Sequence, residues 1–209
     1  MYLKSFLQIC FPSFCLSILL SLGYDSIVFI ASYLSQSQLS ATVCLFNINQ
    51  IAYMFSSGIS QSACIYIGNI VGQLNCPELK KYIKASIIIA FLVGVVVFTG
   101  LFVSEDLVLS LYTKEADVLA NAKQAFPFYL SFVIVDYVTV TVCGINKGLG
   151  RYKQITYLLL IGMYLIGIPN YLFFSLYLGM EIRGLWLAFA INSVLLLCGY
   201  VYILSSKPV

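Results

Sequence analysis

The uncharged stretches of this chain limit its fold more than any other feature. Residues 5–24, 26–77, 85–104, 154–180 and 184–206 contain no Asp, Glu, Lys or Arg. An α-helix rises about 1.5 Å per residue, so roughly 20 apolar residues cross a bilayer core of about 30 Å. Each stretch is long enough to cross, and the longest is interrupted by the polar run "SQSQLS" at 35–40. A water-soluble chain of 209 residues needs a charged shell, and here 9% of residues are charged against 61% hydrophobic. A mean hydropathy of +0.98 says the same. Helices apolar on all faces belong in lipid rather than in the core of a large soluble protein. The apolar runs are continuous rather than alternating, which excludes a transmembrane β-barrel. The expectation is an all-α membrane protein of six transmembrane helices at about 6–34, 40–72, 83–103, 118–143, 153–177 and 184–204. They form a single domain over 1–209.

The basic residues orient these spans. Counted by alternate sides, Lys4, Lys80, Lys81, Lys84, Lys147, Arg151, Lys153 and Lys207 fall on one side, and Lys114, Lys123 and Arg183 on the other. The richer side is expected in the cytosol, with both termini, and an even number of crossings follows. The first apolar run, flanked by Lys4, is too long for a secretory signal and is read as a mature helix. The lysines lie in twos and threes between apolar runs, so no nucleic-acid surface is expected. Seven cysteines without CxxC spacing and no histidine leave no support for a structural zinc or haem site.

Charges within spans carry most of the functional information, because burying one in a membrane costs at least a few kcal/mol. Two occur: Asp25 in "LGYDSIVF" and Asp136 in "FVIVDYVTV". Asp25 lies nine residues from the end of its helix near Leu34, and Asp136 nine residues in from a membrane entry near Pro127, so both acids are expected at one depth, lining one cavity. Ser17, Ser21 and Ser32 share the helical face of Asp25, and Tyr129, Thr139 and Cys143 share that of Asp136. Asn47, Gln50, Ser57 and Gln61 form a third polar stripe, on the second helix. A carboxyl in such a place can load and release a proton, and it can attract an organic cation. A purely structural role, hydrogen bonding between helices, is the alternative for each of these groups.

Other motifs mark helix ends. "GINKGLGRYK" places Gly144, Gly148 and Gly150 between the fourth and fifth helices, where glycine can cap the fourth helix and permit a tight turn. Pro169 in "IGIPNYL" is expected to kink the fifth helix. "RGLW" puts Trp186 at the outer interface, and "SEDLVLSLYTKEADVLA" reads as a solvated acidic outer loop.

Taken in order, these motifs resemble the C-terminal lobe of the multidrug and toxic compound extrusion (MATE) family, in its eukaryotic branch. "GYDSIVFIASYLSQSQLSATV" is similar to the family's seventh helix and the loop after it. "NINQIAYMFSSGISQSACIYIGNIVGQLN" is similar to its eighth helix. "LYTKEADVLANAKQAFPFYLSFVIVDYV" resembles the approach to the tenth helix and that helix itself. The G…G.GR..K, GIP and GLW landmarks follow in "GINKGLGRYKQITYLLLIGMYLIGIPNYLFFSLYLGMEIRGLWLAF". The resemblance implies one six-helix lobe of a MATE-like twelve-helix transporter, a secondary antiporter rather than an enzyme. It would export xenobiotics or organic cations in exchange for protons or sodium, and it would need no cofactor beyond the ion gradient.

Carried over by position, Asp25 and Asp136 are the proton-coupling and substrate-binding acids, although the family has Glu more often at the first of these. Asn47 aligns with a polar residue of the eighth helix, and Gln50, Gln61, Thr139 and Tyr129 are the further candidates for the cavity wall. The implied partners are the bilayer, a small organic cation or xenobiotic, and a missing N-terminal lobe or a second copy of the chain. A plasma, vacuolar or other endomembrane location is implied. A truncated gene product or non-transporting scaffold is the alternative function. A lipid or oligosaccharide flippase would call for intramembrane basic residues, and none is found away from the helix ends.

Overall fold

In the computed structural model, backbone is described for residues 2–73 and 76–206, and side chains for these apart from 2–9, 12, 13, 16, 76 and 77. The readings on the Lys4 and Cys76 side chains and on Lys207 fall outside the described residues. The described chain holds six long helices and one short one. These are α1 (Tyr2–Ala31), α2 (Gln36–Gly72), α3 (Cys76–Val103), the short α4 (Glu105–Tyr112), α5 (Ala116–Gly148), α6 (Tyr152–Tyr177) and α7 (Glu181–Ser206). Four of them are long and apolar enough to cross a membrane: Glu78–Val103, Ala116–Gly148, Tyr152–Tyr177 and Glu181–Ser206. Within α1 the apolar part described is Ser17–Ala31. The 37 residues of α2 have the length to cross, roughly 55 Å, but carry more polar side chains.

Local chemistry accounts for the helix ends. Ser35 caps α2: its hydroxyl accepts from the Gln38 N–H, and the Gln38 side chain accepts from the Ser35 N–H. The expected polar loop at 35–40 is therefore the first turn of a helix, because a capping box satisfies the backbone donors that a loop would leave to water. The acidic stretch is likewise not all loop. Residues Glu105–Tyr112 form α4, with Leu109 fully buried against the lobe and Asp106 paired with Lys123 of α5 at 2.5 Å. Along α6, Pro169 lies in a short α-helical stretch (Ile168–Leu172) flanked by wide π-helical turns at Leu160–Gly167 and Phe173–Tyr177. Proline removes a donor and crowds the preceding turn, and widened turns absorb that without breaking the helix.

The post of the lobe is α5, packed against α2, α7 and α3, while α1 leans on α6 and α2. In its most apolar window α5 is 67% buried and α3 only 11%, which sets α5 at the centre and α3 at the periphery. The α2–α5 contact is close because it is built from small groups, as is common between membrane helices. A Cβ on Gly144 would come within 2.3 Å of the Ser60 carbonyl oxygen, and one on Gly148 within 2.7 Å of that of Cys64. These two glycines are thus packing positions inside α5 rather than its caps. The turn falls later, at Gly150, with φ +74.

Trp186 also departs from expectation. It is 1% exposed, inside an aromatic cluster with Tyr129, Phe132 and Phe189, rather than at the outer interface. The indole follows the helical face of α7 that meets α5, and packing among rings outweighs its preference for headgroups.

Candidate functional site

Five helices leave a cavity of about 120 Å³ between them, with Asp136 in its wall. From α5 come Asp136, Thr139, Val140, Cys143 and Lys147, a face repeating every three to four residues. Across from it, α2 contributes Tyr53, Ser57, Ser60 and Gln61, and α7 contributes Asn192, Ser193 and Tyr200. Leu20 and Tyr24 of α1 and Met163 of α6 close the remaining side.

Interhelical hydrogen bonds hold this arrangement. The Tyr137 hydroxyl donates to the Ala52 carbonyl at 2.6 Å, and Ser60 Oγ to that of Val140 at 2.8 Å. Asn146 Nδ2 donates to the Tyr200 carbonyl at 3.2 Å, and the Tyr164 hydroxyl to that of Leu19 at 2.8 Å. Each spends a side-chain donor on a helix carbonyl, a bond that lipid cannot replace.

Asp136 is 7% exposed and lies within electrostatic range of the phenols of Tyr24, Tyr53, Tyr129, Tyr137 and Tyr200. No cation is among its described neighbours at that level. Such a carboxyl can exchange a proton with hydroxyl neighbours, or hold a cation whose other faces meet aromatic rings. Among the described residues no group of three or more His, Cys, Asp or Glu could hold a metal ion.

Of the residues singled out from sequence, Asp136, Thr139, Cys143, Ser57 and Gln61 line this cavity. Asp25 does not. Ring contacts set its neighbour Tyr24 against Phe46, Tyr53 and Phe189, and Tyr24 is the α1 residue turned inward. Asp25, one residue on and about 100° around the helix, is exposed, within electrostatic range of the Tyr164 phenol of α6. The two acids thus face different spaces. Asn47 and Gln50 lie outside the cavity as well, on the exposed side of α2. Tyr129 is 0% exposed and sits in the aromatic cluster, with Phe126, Phe132 and Trp186 against its ring.

Sequence reading missed Tyr24, Tyr53, Asn192, Tyr200 and Lys147 as wall residues. Tyrosines in an apolar run read as lipid-facing or core, and Lys147 reads as a loop charge. The signal available for Lys147 was its position eleven residues after Asp136, three helical turns and nearly the same face.

The MatE family model matches residues 12–172. The chain is 26% identical over 185 residues to "Multidrug and toxin extrusion protein 1" of Danio rerio, covering 88% of this chain and 31% of that protein. The protein of the same name from Mus musculus is 29% identical over 182 residues, covering 87% and 32%. Among solved structures, the eukaryotic MATE transporter AtDTX14 superposes with a TM-score of 0.90 at 20% identity, over 98% of this chain and 46% of that one. A MATE structure in the bent conformation gives a TM-score of 0.88 at 17% identity, over 97% and 45%. The chain therefore spans about a third of the curated relatives and a little under half of the solved transporters.

Proposed function

The chain belongs to the MatE family, and from that premise we propose that it acts as one six-helix lobe of a secondary antiporter. The lobe exports organic cations or other xenobiotics in exchange for protons or sodium. The observation that carries this reading is Asp136, a carboxylate 7% exposed in a hydroxyl- and ring-lined cavity in the middle of a membrane lobe. A charge is not kept in such a place by packing, since an apolar side chain would fill it at lower cost.

In this reading Asp136 loads the coupling ion, and loading cancels the charge that holds a cationic substrate. One elementary charge moved through 100 mV supplies about 2.3 kcal/mol, enough for a gradient of tens-fold. Asp25 is the second coupling acid, acting on the exposed side of α1. The exposed polar side chains Asp25, Asn47 and Gln50 support a water-filled or protein-covered space there, because lipid offers them no partners. A second six-helix lobe, whether an N-terminal one or a second copy of the chain, supplies the opposite wall. The basic end of the lobe, with both termini, faces the cytosol of a plasma or endomembrane.

Proteoliposomes under an imposed proton or sodium gradient, with a labelled quaternary ammonium as cargo, test the assignment. Asp136→Asn and Asp25→Asn are each expected to abolish gradient-driven exchange while leaving thermal unfolding near that of the parent. Exchange undiminished in both variants overturns the assignment.

A further inference from the structure

Away from the Asp136 cavity, α2 and α3 part towards the basic end of the lobe and leave a groove on the outside of the molecule. We infer that this groove binds one phospholipid with a primary ammonium headgroup. An acyl chain lies between the helices, and Lys81 and Glu78 hold the phosphate and the ammonium.

The groove has a volume of about 630 Å³ and runs from Met54 to Tyr66 along α2 and from Tyr82 to Ile89 along α3. Its span on α2 is roughly 18 Å, little more than half of a ~30 Å hydrocarbon core, so its length suits one acyl chain of one leaflet. Small side chains leave the room: Gly58, Ala63 and Ala85 line it, and nothing lies within 4 Å of where a Cβ on Gly58 would stand. Met54, Phe55 and Ile89 are exposed along its sides. The Ser86 hydroxyl is spent on its own helix, donating to the Tyr82 carbonyl at 2.8 Å. A slot with such walls favours hydrocarbon over water.

Tyr66 and Tyr82 stack across the end of the groove nearest the helix ends, with ring centroids 6.0 Å apart and planes 13° from parallel. Tyr66 is six residues from Gly72, where α2 finishes, and Tyr82 six from Cys76, where α3 begins. At roughly 9 Å from those ends, phenols stand where aromatic rings commonly meet headgroups. One turn further out on the same face of α3 come Glu78, four residues before Tyr82, and Lys81, four before Ala85. Both are exposed, and no ion pair among the described residues joins them. Asn69 and Gln73, also exposed, continue α2 past Tyr66.

A carboxylate, an ammonium and two amides thus stand at the level a headgroup occupies. A phosphate suits the Lys81 ammonium and the amide donors, as a charge-assisted contact. The Glu78 carboxylate suits a primary ammonium and repels a headgroup that is only anionic. Lys80 and Lys84 lie on other faces of α3, and the ordinary basic bias of this end accounts for them. The inference does not rest on the transport reading, since a lobe that moves nothing would bind the lipid equally.

An unselected boundary lipid exchanges without regard to headgroup, and the test turns on that difference. The full chain, purified in detergent and stripped of lipid, is titrated with phosphatidylethanolamine, phosphatidylcholine and phosphatidylglycerol, all with palmitoyl and oleoyl chains. Occupancy is read by native mass spectrometry. One phosphatidylethanolamine per chain is expected to stay bound at collision energies that remove the other two.

Glu78→Gln is expected to weaken phosphatidylethanolamine by on the order of tenfold, the loss of one charge-assisted bond, while phosphatidylglycerol is held as well or better. Lys81→Gln is expected to weaken both. Gly58→Phe fills the groove and is expected to abolish the retained lipid while thermal unfolding stays near that of the parent. Lys84→Gln, off the groove, is expected to change neither. Equal retention of the three lipids overturns the inference, as does a retained phosphatidylethanolamine indifferent to Glu78→Gln and Gly58→Phe. A second copy of the chain bound in place of lipid, and lost in Gly58→Phe, overturns it as well.

Discussion

Gly144 and Ser60 meet so closely that a single added carbon decides whether α2 and α5 can pack. A Cβ at Gly144 would stand 2.3 Å from one backbone atom of Ser60 and 2.9 Å from another, and a backbone contact cannot swing aside as a side chain would. Gly144→Ala is therefore expected to destabilise the lobe by about 1–3 kcal/mol, read as a lowered unfolding temperature in detergent. Gly58, also in α2, has nothing within 4 Å of the same position, and Gly58→Ala is expected to leave that temperature unchanged or slightly raised. Equal effects of the two substitutions would contradict the packing described here. The residue scale is also where sequence and structure diverge most. Asp25 and Asp136 both stand out as charges in apolar runs, yet one residue's rotation gives the cavity Tyr24 and leaves Asp25 outside it.

The turn between α6 and α7 shows how one side chain can tie distant elements together. Glu181, the first residue of α7, has φ 54, a left-handed conformation that costs a non-glycine residue roughly 1–2 kcal/mol. Its carboxylate accepts a hydrogen bond from Nε2 of Gln38, in the first turn of α2. Arg183 beside it donates to Gln124 of α5, so the N-terminal parts of α2, α5 and α7 are joined. Glu181→Ala keeps the backbone strain and loses the bond, and it is expected to lower stability by about 1–2 kcal/mol. Glu181→Gly loses the same bond but releases the strain, and it is expected to unfold at a higher temperature than the alanine variant. The reverse order, measured under the same conditions, would show that the backbone at 181 is not strained. Element existence was legible from the apolar runs, whereas Ser35 read as loop and not as the cap it forms. The small helix α4 was not, because its eight residues carry charges that read as loop until Leu109 finds a buried place.

Across the whole molecule, charge is segregated by end. Lys80, Lys81, Lys84, Lys147, Arg151 and Lys153 share the end where α5 finishes, with Glu78 as the acid among them. The opposite end holds Glu105, Asp106, Glu115, Asp117 and Glu181 with Lys114, Lys123 and Arg183. With the basic end in the cytosol, cysteines introduced at the two ends of a cysteine-free chain should differ in reactivity. In sealed right-side-out vesicles, an impermeant maleimide is expected to label Thr113→Cys and spare Ser206→Cys. Detergent should equalise the two, and labelling of Ser206→Cys in intact vesicles would reverse the orientation.

What the amino-acid sequence determined by itself was the class and order of the parts: apolar helices, a membrane setting, two acids within apolar runs and the landmarks of a transporter lobe. The helices and their setting follow from composition and periodicity, which act locally along the chain, and the landmarks from resemblance to a family. The tertiary structure alone decided which face of each helix turns inward, because at 100° per residue a shift of one position exchanges cavity for exterior. That is why Tyr24 rather than Asp25 lines the cavity, why Trp186 is buried among rings, and why Lys147, a loop charge by its neighbours, lines the space around Asp136.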